Sequence, residues 1–387
     1  MKRFHRSAIS RLHSLLEIFR VFLRLGFVAF GGPAAHIAMM ENEFVRRRQW
    51  LTREEFLDRM GAVGLLPGPS STELAIYLGE LRGGFLGLIA SGIAFLLPAA
   101  LLVAALAWTY VRYGSLPQVA GILWGVKPIV VVLVAQAIWA LHRAVFKSKE
   151  LAVLAAVVFV LSFFRVSPIA LLIGGGVAWV VARRAEHFRS SVLTAASALR
   201  TAGTAAAVGA VGLGSVFVYF LKVGAVLFGS GYVLLALLQA DLVTRLHWLT
   251  QAQLLDAVAV SQATPGPFFT VATFIGYLLA GWKGAVLATF GTFLPAFLFV
   301  AATAKVLPKL RRSSWASAFL DGVNASAIAL MAFVGFQFAR AVFLSATSAM
   351  IAGLAALLLF RFRVNSAWLI GFGALLGIIL SLLRLHL

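Results

Sequence analysis

Apolar runs long enough for a bilayer alternate along this chain with short stretches rich in arginine and lysine. A spanning helix needs about 20 mostly apolar residues. The first such run lies near 20–40 and is interrupted by Gly31-Gly32-Pro33; a basic loop near 41–59 follows. The next run, near 60–81, is interrupted by Pro67-Gly68-Pro69, and plainer spans come near 84–111, 116–141, 150–164 and 168–182. A polar connector from Arg183 to Arg200 then ends the first pattern, and the same pattern begins again. The extreme start, Lys2, Arg3, Arg6 and Arg11 followed by Leu12, Leu15, Leu16, Ile18, Phe19 and Phe22, predicts a basic amphipathic helix lying on the cytoplasmic surface. No cleavable signal peptide is expected.

The recurrence is residue-specific. A shift of 198 carries Gly26, Phe30, Gly31, Trp50, Leu51, Thr52, Leu57, Asp58, Pro67, Gly68, Pro69 and Thr72 onto Gly224, Phe228, Gly229, Trp248, Leu249, Thr250, Leu255, Asp256, Pro265, Gly266, Pro267 and Thr270. After one deletion, a shift of 197 carries Gly79, Gly84, Gly87, Pro98 and Gly125 onto Gly276, Gly281, Gly284, Pro295 and Gly322. Prolines and glycines held in register over such a length mark an internal duplication. The expected boundaries are a first repeat at 1–182, a connector at 183–205 and a second repeat at 206–387.

Charge sets the expected orientation of the copies. Arg46, Arg47, Arg48, Arg53 and Arg59 crowd the first basic loop, whereas only Arg245 stands in its counterpart. The next loop reverses this, with Arg112 and Lys127 against Lys305, Lys309, Arg311 and Arg312. Since basic loops stay on the cytoplasmic side, the alternation predicts that equivalent loops face opposite sides. An odd number of crossings per unit is then required, and the apolar run near 203–221 supplies the extra one. The expected fold is therefore an all-α polytopic membrane protein. Its two inverted-topology repeats contain discontinuous, re-entrant helices broken at Gly-Gly-Pro and Pro-Gly-Pro, an architecture found in secondary transporters.

Composition agrees and narrows the chemistry. The chain has 387 residues, 61% hydrophobic and 12% charged, which places it among integral membrane proteins. Its formal charge of +20 does not point to nucleic acid, because the basic residues sit at segment ends. It contains no cysteine, which removes thiol metal sites, disulfides and cysteine nucleophiles. No His-Glu-x-x-His cluster is present, so no metal, cofactor or catalytic group is expected and the chain does not read as an enzyme. The partners expected are the lipid bilayer and an anion; a homodimer is compatible with the sequence, which does not set the oligomeric state.

The anion is suggested by the two Pro-Gly-Pro turns. The first proline of each stops the incoming helix, the glycine bends the chain, and Pro69 or Pro267 fits the start of a new helix. The amides of Ser70, Ser71 and Thr72, and of Phe268, Phe269 and Thr270, are then expected to lack intrahelical acceptors, and such an end attracts anions. Gly68, Pro69, Gly266 and Pro267 shape the turns, and the hydroxyls of Ser70, Ser71, Thr72 and Thr270 add donors. Gly31 and Gly32, with Gly229 and Ser230 in the second copy, form similar breaks, for which simple helix packing is the competing reading. Arg24 and Lys222 are equivalent cations within apolar runs, candidates for anion coordination or for snorkelling to the surface. Glu73, in the first turn after Pro69, is either a proton carrier or a cap. Asp58 and Asp256, one turn beyond the capping boxes of Thr52 and Thr250, either pair with a basic loop or serve proton coupling. His36 reads as a packed histidine.

These residues resemble the chromate transporter family of bacterial oxyanion carriers. The resemblance lies in Phe30-Gly31-Gly32-Pro33-Ala34-Ala35-His36-Ile37, Trp50-Leu51-Thr52, Leu66-Pro67-Gly68-Pro69 and Phe95-Leu96-Leu97-Pro98, and continues in Phe228-Gly229-Ser230-Gly231-Tyr232, Trp248-Leu249-Thr250 and Thr264-Pro265-Gly266-Pro267. It covers nearly the whole chain, in the family's two-domain form. Ser230 departs from a common glycine and Glu80 from a common aromatic. The resemblance implies export of chromate across the bacterial inner membrane, driven by membrane potential or a proton gradient, with sulfate as a structural analogue. The competing expectations are import of sulfate or a related oxyanion, and a passive anion channel.

Overall fold

The computed structural model describes residues 8–114, 116–145, 147–164, 166–185, 212–227, 233–303 and 314–383. Every regular element among them is a helix. The first copy comprises α1 (Ala8–Val28), α2 (Gly32–Glu41) with a π-helical turn Asn42–Arg47, α3 (Arg53–Val63), α4 (Ser70–Tyr113), α5 (Pro117–Val145), α6 (Lys149–Ser162) and α7 (Pro168–Ala185). The second copy repeats this as α8 (Leu213–Val226), α9 (Val233–Leu238) with a π-helical turn Gln239–Arg245, and α10 (Gln251–Ala263). It ends with α11 (Val271–Thr303), α12 (Ser314–Val342), α13 (Ala346–Arg361) and α14 (Ser366–Leu382). Among the described residues, four stretches are long and apolar enough to cross a membrane: Ser70–Tyr113, Gln118–His142, Phe268–Thr303 and Trp315–Val342.

At 44 residues α4 is twice the length a bilayer needs, and it is not straight. Residues 79 and 87 of a continuous helix would lie about 12 Å apart along its axis. Instead a Cβ placed on Gly79 would come 2.4 Å from the Gly87 carbonyl oxygen, and one on Gly87 2.2 Å from that of Gly79. The helix doubles back at Gly84, whose φ of 63° with ψ of −151° is open only to glycine. The second copy does the same at Gly281, bringing Gly276 against Gly284.

The early helices of each copy also form hairpins. The mouth of the α1–α2 hairpin is closed by Arg48 Nη1 donating to Glu17 Oε1 at 2.7 Å. In the next hairpin α3 runs in and the 70–83 arm of α4 runs back, joined where Arg59 Nη1 donates to the Tyr77 hydroxyl at 3.1 Å. Arg82 ends that arm 3.7 Å from Glu17 and 5.1 Å from the Trp50 ring centroid, so both mouths lie at one end of the bundle. About 39 Å of helix separates Gly84 from Tyr110. At that far end the Tyr110 hydroxyl donates to Asp256 Oδ2 at 3.0 Å, near the start of α10, which is the entry to the second copy's hairpin.

Packing ties the copies together. Helix α1 lies along α4 and α8 along α11, while α4 and α11 pack on each other across the copies; α5 pairs with α14 and α7 with α12. The core around Phe22, Phe44, Phe56, Leu74 and Phe95 takes in Ala296 and Val300 from the other copy. Large apolar side chains such as Phe85, Leu101, Val286 and Leu298 face outward, as lipid contact requires.

One expectation fails here. Helix α1 does not lie flat on a surface: Ile18, Val21, Phe22 and Leu25 are buried against α4, while Leu12, Leu16, Phe27 and Val28 are exposed. The stripe at 18, 21, 22 and 25 is a packing stripe, and Lys2, Arg3 and Arg6, on which the surface expectation also rested, lie outside the described residues. The connector read at 183–205 lies largely outside the described residues.

Candidate functional site

The helix breaks of the two copies meet through backbone hydrogen bonds. The Gly68 amide donates to the Leu227 carbonyl at 2.6 Å, and the Gly266 amide donates to the Ala29 carbonyl at 2.7 Å. The 198-residue shift that carries 68 onto 266 also carries 29 onto 227, so this is one contact made twice with the copies exchanged. Each Pro-Gly-Pro turn therefore fills the acceptor left open by the other copy's first break, in a place where an unmade bond costs about 1–3 kcal/mol. The turns can reach because Gly68 and Gly266 hold φ at 147° and 100°.

The first break is fastened a second time. Ala29 O also accepts from His36 Nε2 at 3.0 Å, which leaves Nδ1 to accept from Ser71 Oγ at 3.2 Å. His36 is thus a satisfied histidine linking the α2 break to the first turn of α4. Gly31 and Gly32, with φ of 98° and 78°, make that break. Their counterparts Gly229 and Ser230 lie outside the described residues.

The expectation of three free amides per turn needs correction. The Thr72 and Glu73 amides both donate to Pro69 O, at 2.7 and 3.0 Å, and the Thr270 amide donates to Pro267 O at 3.0 Å. The proline carbonyl sits over the new turn and a tight i→i+3 bond takes the third amide. Only the first two positions, Ser70 and Ser71 or Phe268 and Phe269, precede that bond.

The side chains of the two turns differ more than their backbones. Thr270 Oγ1 donates to Pro267 O at 2.9 Å and lies 3.5 Å from Ser261 Oγ. Thr72 Oγ1 and both carboxyl oxygens of Glu73 are buried with no partner among the described residues. Glu73 folds back across the turn, so that a Cβ on Gly68 would lie 2.5 Å from its Oε1. Its counterpart in the second copy is Val271. Among the described residues, the two turns therefore hold one unpaired acid, on the first copy's side.

Arg24 acts by its charge on Glu43, and Lys222 on Asp241. Burial pushes the Glu43 carboxyl up, but the hydrogen bond and charge of Arg48, with Arg47 and Arg24 behind them, bring it below its ordinary value. Burial raises Asp241 above its ordinary value against the pull of Arg245 and Lys222. Glu43 and Asp241 are themselves equivalent under the same shift, as are Arg47 and Arg245, a signal available in the sequence. Asp58 is exposed, whereas Asp256 is buried, 3.0 Å from Lys127 Nζ and bonded to Tyr110. Asp256 joins the copies.

The repeated, all-helical architecture with several apolar spans is that of a multi-pass membrane transporter. This chain belongs to the chromate transporter family: that family matches residues 16–180 and again 214–378. It is 32% identical to the chromate transport protein of Cupriavidus metallidurans over 95% of this chain and 93% of the relative. It is 34% identical to the chromate transport protein of Pseudomonas aeruginosa over 81% and 79% of the two chains. A probable chromate transport protein of Synechococcus elongatus is 32% identical over 83% of each. No solved structure matches the chain.

Proposed function

We propose that the protein exports chromate from the bacterial cytoplasm across the inner membrane as a secondary carrier with two inverted repeats. The reciprocal bonds at Gly68 and Gly266, with unpartnered Thr72 and Glu73 in the same turn, carry this reading. Mouths at opposite ends of the 85–113 arm support inversion, and hairpins that enter and leave at one end support re-entrant helices. The oxyanion is held at the tips by the Ser70 and Ser71 amides and the Thr72 hydroxyl, with Phe268, Phe269 and Thr270 approaching from the other copy. Alternating access rocks one copy against the other around this spot.

Glu73 supplies the coupling proton. An unpaired carboxylate in so dry a place costs several kcal/mol, so the group travels there as the neutral acid and releases its proton when the site opens. With the cell interior negative, a departing dianion gains about 4.6 kcal/mol per 100 mV, and exchange for one incoming proton raises this to about 6.9 kcal/mol. The sign favours export.

Chromate flux into inside-out vesicles tests this, with an imposed potential, an imposed pH gradient and competing sulfate. Accumulation under either gradient is expected, and its absence under both defeats the export reading. Glu73→Gln is expected to keep the response to potential and lose the response to pH. If the pH response persists, Glu73 does not carry the proton.

A further inference from the structure

The two hairpin mouths occupy equivalent positions in the duplication but carry different side chains. At the first, Glu43 is bonded to Arg47 at 3.0 Å and to Arg48 at 2.7 Å, Arg48 reaches Glu17, and Trp50 lies beneath both Arg48 and Arg82. At the second, Asp241 and Arg245 keep their pair at 3.1 Å, but Ser215, Leu246 and Leu279 stand where Glu17, Arg48 and Arg82 stood. Among the described residues, the lattice that seals one mouth has no counterpart at the other. In its place is a crevice of about 1160 Å³ between α7, α8, the α9 turn and α12.

Among the described residues its lining holds three cations, Lys222, Arg245 and Arg340, against one carboxylate, Asp241. At its wall Gln239 is only 5% exposed, and its Oε1 has no partner among the described residues. A terminal amide turned by half a rotation offers N–H instead of C=O, so Gln239 can donate into the crevice. Surplus positive charge beside an unsatisfied buried amide suits a tetrahedral oxyanion.

We propose that this crevice is a second oxyanion site, separate from the hairpin tips, in which Lys222, Arg245, Arg340 and Gln239 hold the anion at the mouth opposite Arg46–Arg48. Resting on the transport reading, it acts as a vestibule on the outer face, and its occupant is either the free oxyanion or the phosphodiester of a lipid headgroup.

Because the chain has no cysteine, Ala240→Cys places a single thiol in this lining. Full-length protein carrying it is reconstituted in phosphatidylcholine vesicles and labelled with a neutral methanethiosulfonate, in sodium sulfate or in sodium chloride of equal ionic strength. Sulfate is expected to slow labelling about fivefold, the effect of one partly exposed ionic contact. Added Arg340→Gln or Gln239→Leu is expected to abolish that protection. Slow labelling without sulfate, seen only in phosphatidylglycerol vesicles, identifies the headgroup as occupant. Equal rates in sulfate and chloride in both lipids overturn the site, and so does protection that survives both substitutions. Chromate flux is measured in parallel: protection without flux removes the export reading and leaves the crevice standing.

Discussion

Replacing Gly266 by alanine tests whether the second copy's tip is pressed onto the first. The added Cβ would lie 2.5 Å from the Ala99 Cβ on a fully buried face of α4. Carbon atoms settle at about 3.5–4.0 Å, so tip and helix must part by about 1 Å. Overpacking of that kind costs about 1–3 kcal/mol, and an L-residue at φ of 100° costs about 1–3 kcal/mol more. Gly266→Ala is therefore expected to destabilise by about 2–6 kcal/mol. Ala99→Gly removes the collision but not the backbone strain, so in the Gly266→Ala background it should restore about 1–3 kcal/mol, although alone it costs about 0.5–1 kcal/mol as a helix glycine. Thermal unfolding in micelles, followed by fluorescence-detected size exclusion, measures all four proteins. A Gly266→Ala protein that melts with the wild type, or strictly additive losses in the double variant, would refute the tip packing.

Gly84→Ala and Gly281→Ala meet no atom within 4 Å, so only backbone strain should count, about 1–3 kcal/mol and nearly equal for the twins; the same melting series checks this. Lys127→Met leaves the Asp256 carboxylate with only the Tyr110 hydroxyl for a partner and should cost about 1–3 kcal/mol, reduced because Lys127 is 24% exposed. Adding Asp256→Leu should recover most of that, and a double-mutant cycle without coupling would rule out the pair. Glu43 has a lowered pKa in the fold, so its contribution is present above its ordinary value of 4.5 and is lost as pH falls through the folded value. Melting temperatures of the wild type should drop more steeply on acidification than those of Glu43→Gln, and parallel curves would count against the mouth lattice.

What local sequence could convey was backbone. Proline and glycine constrain the chain where they stand, so the breaks at Gly31, Pro67 and Pro265 and the duplication that carries them were visible in one dimension. Side-chain partnerships were not: Tyr110 with Asp256 and His36 with Ser71 join residues far apart in sequence, and no local pattern records such a pairing. The free amides at Thr72 and Thr270 were overcounted because turn geometry, and not residue type, decides whether a proline carbonyl reaches the third amide. The arginines ahead of α1 point to a surface helix, while the stripe of Ile18, Phe22 and Leu25 packs inward, and sequence alone gives no weight to one over the other. The asymmetric acid, Glu73 against Val271, was legible as a substitution, but only burial without a partner gave it meaning.

The crossed bonds between Gly68 and Leu227, and between Gly266 and Ala29, bear on how the protein is made. During synthesis the first half leaves the ribosome with a bent turn whose amide has no acceptor until Leu227 arrives about 160 residues later, roughly 8–32 s at 5–20 residues per second. For that interval water, a lipid headgroup or an insertion chaperone must stand in for the missing half. Neither half is a finished product on its own, and a split gene would have to deliver both pieces to the same patch of membrane for either to mature.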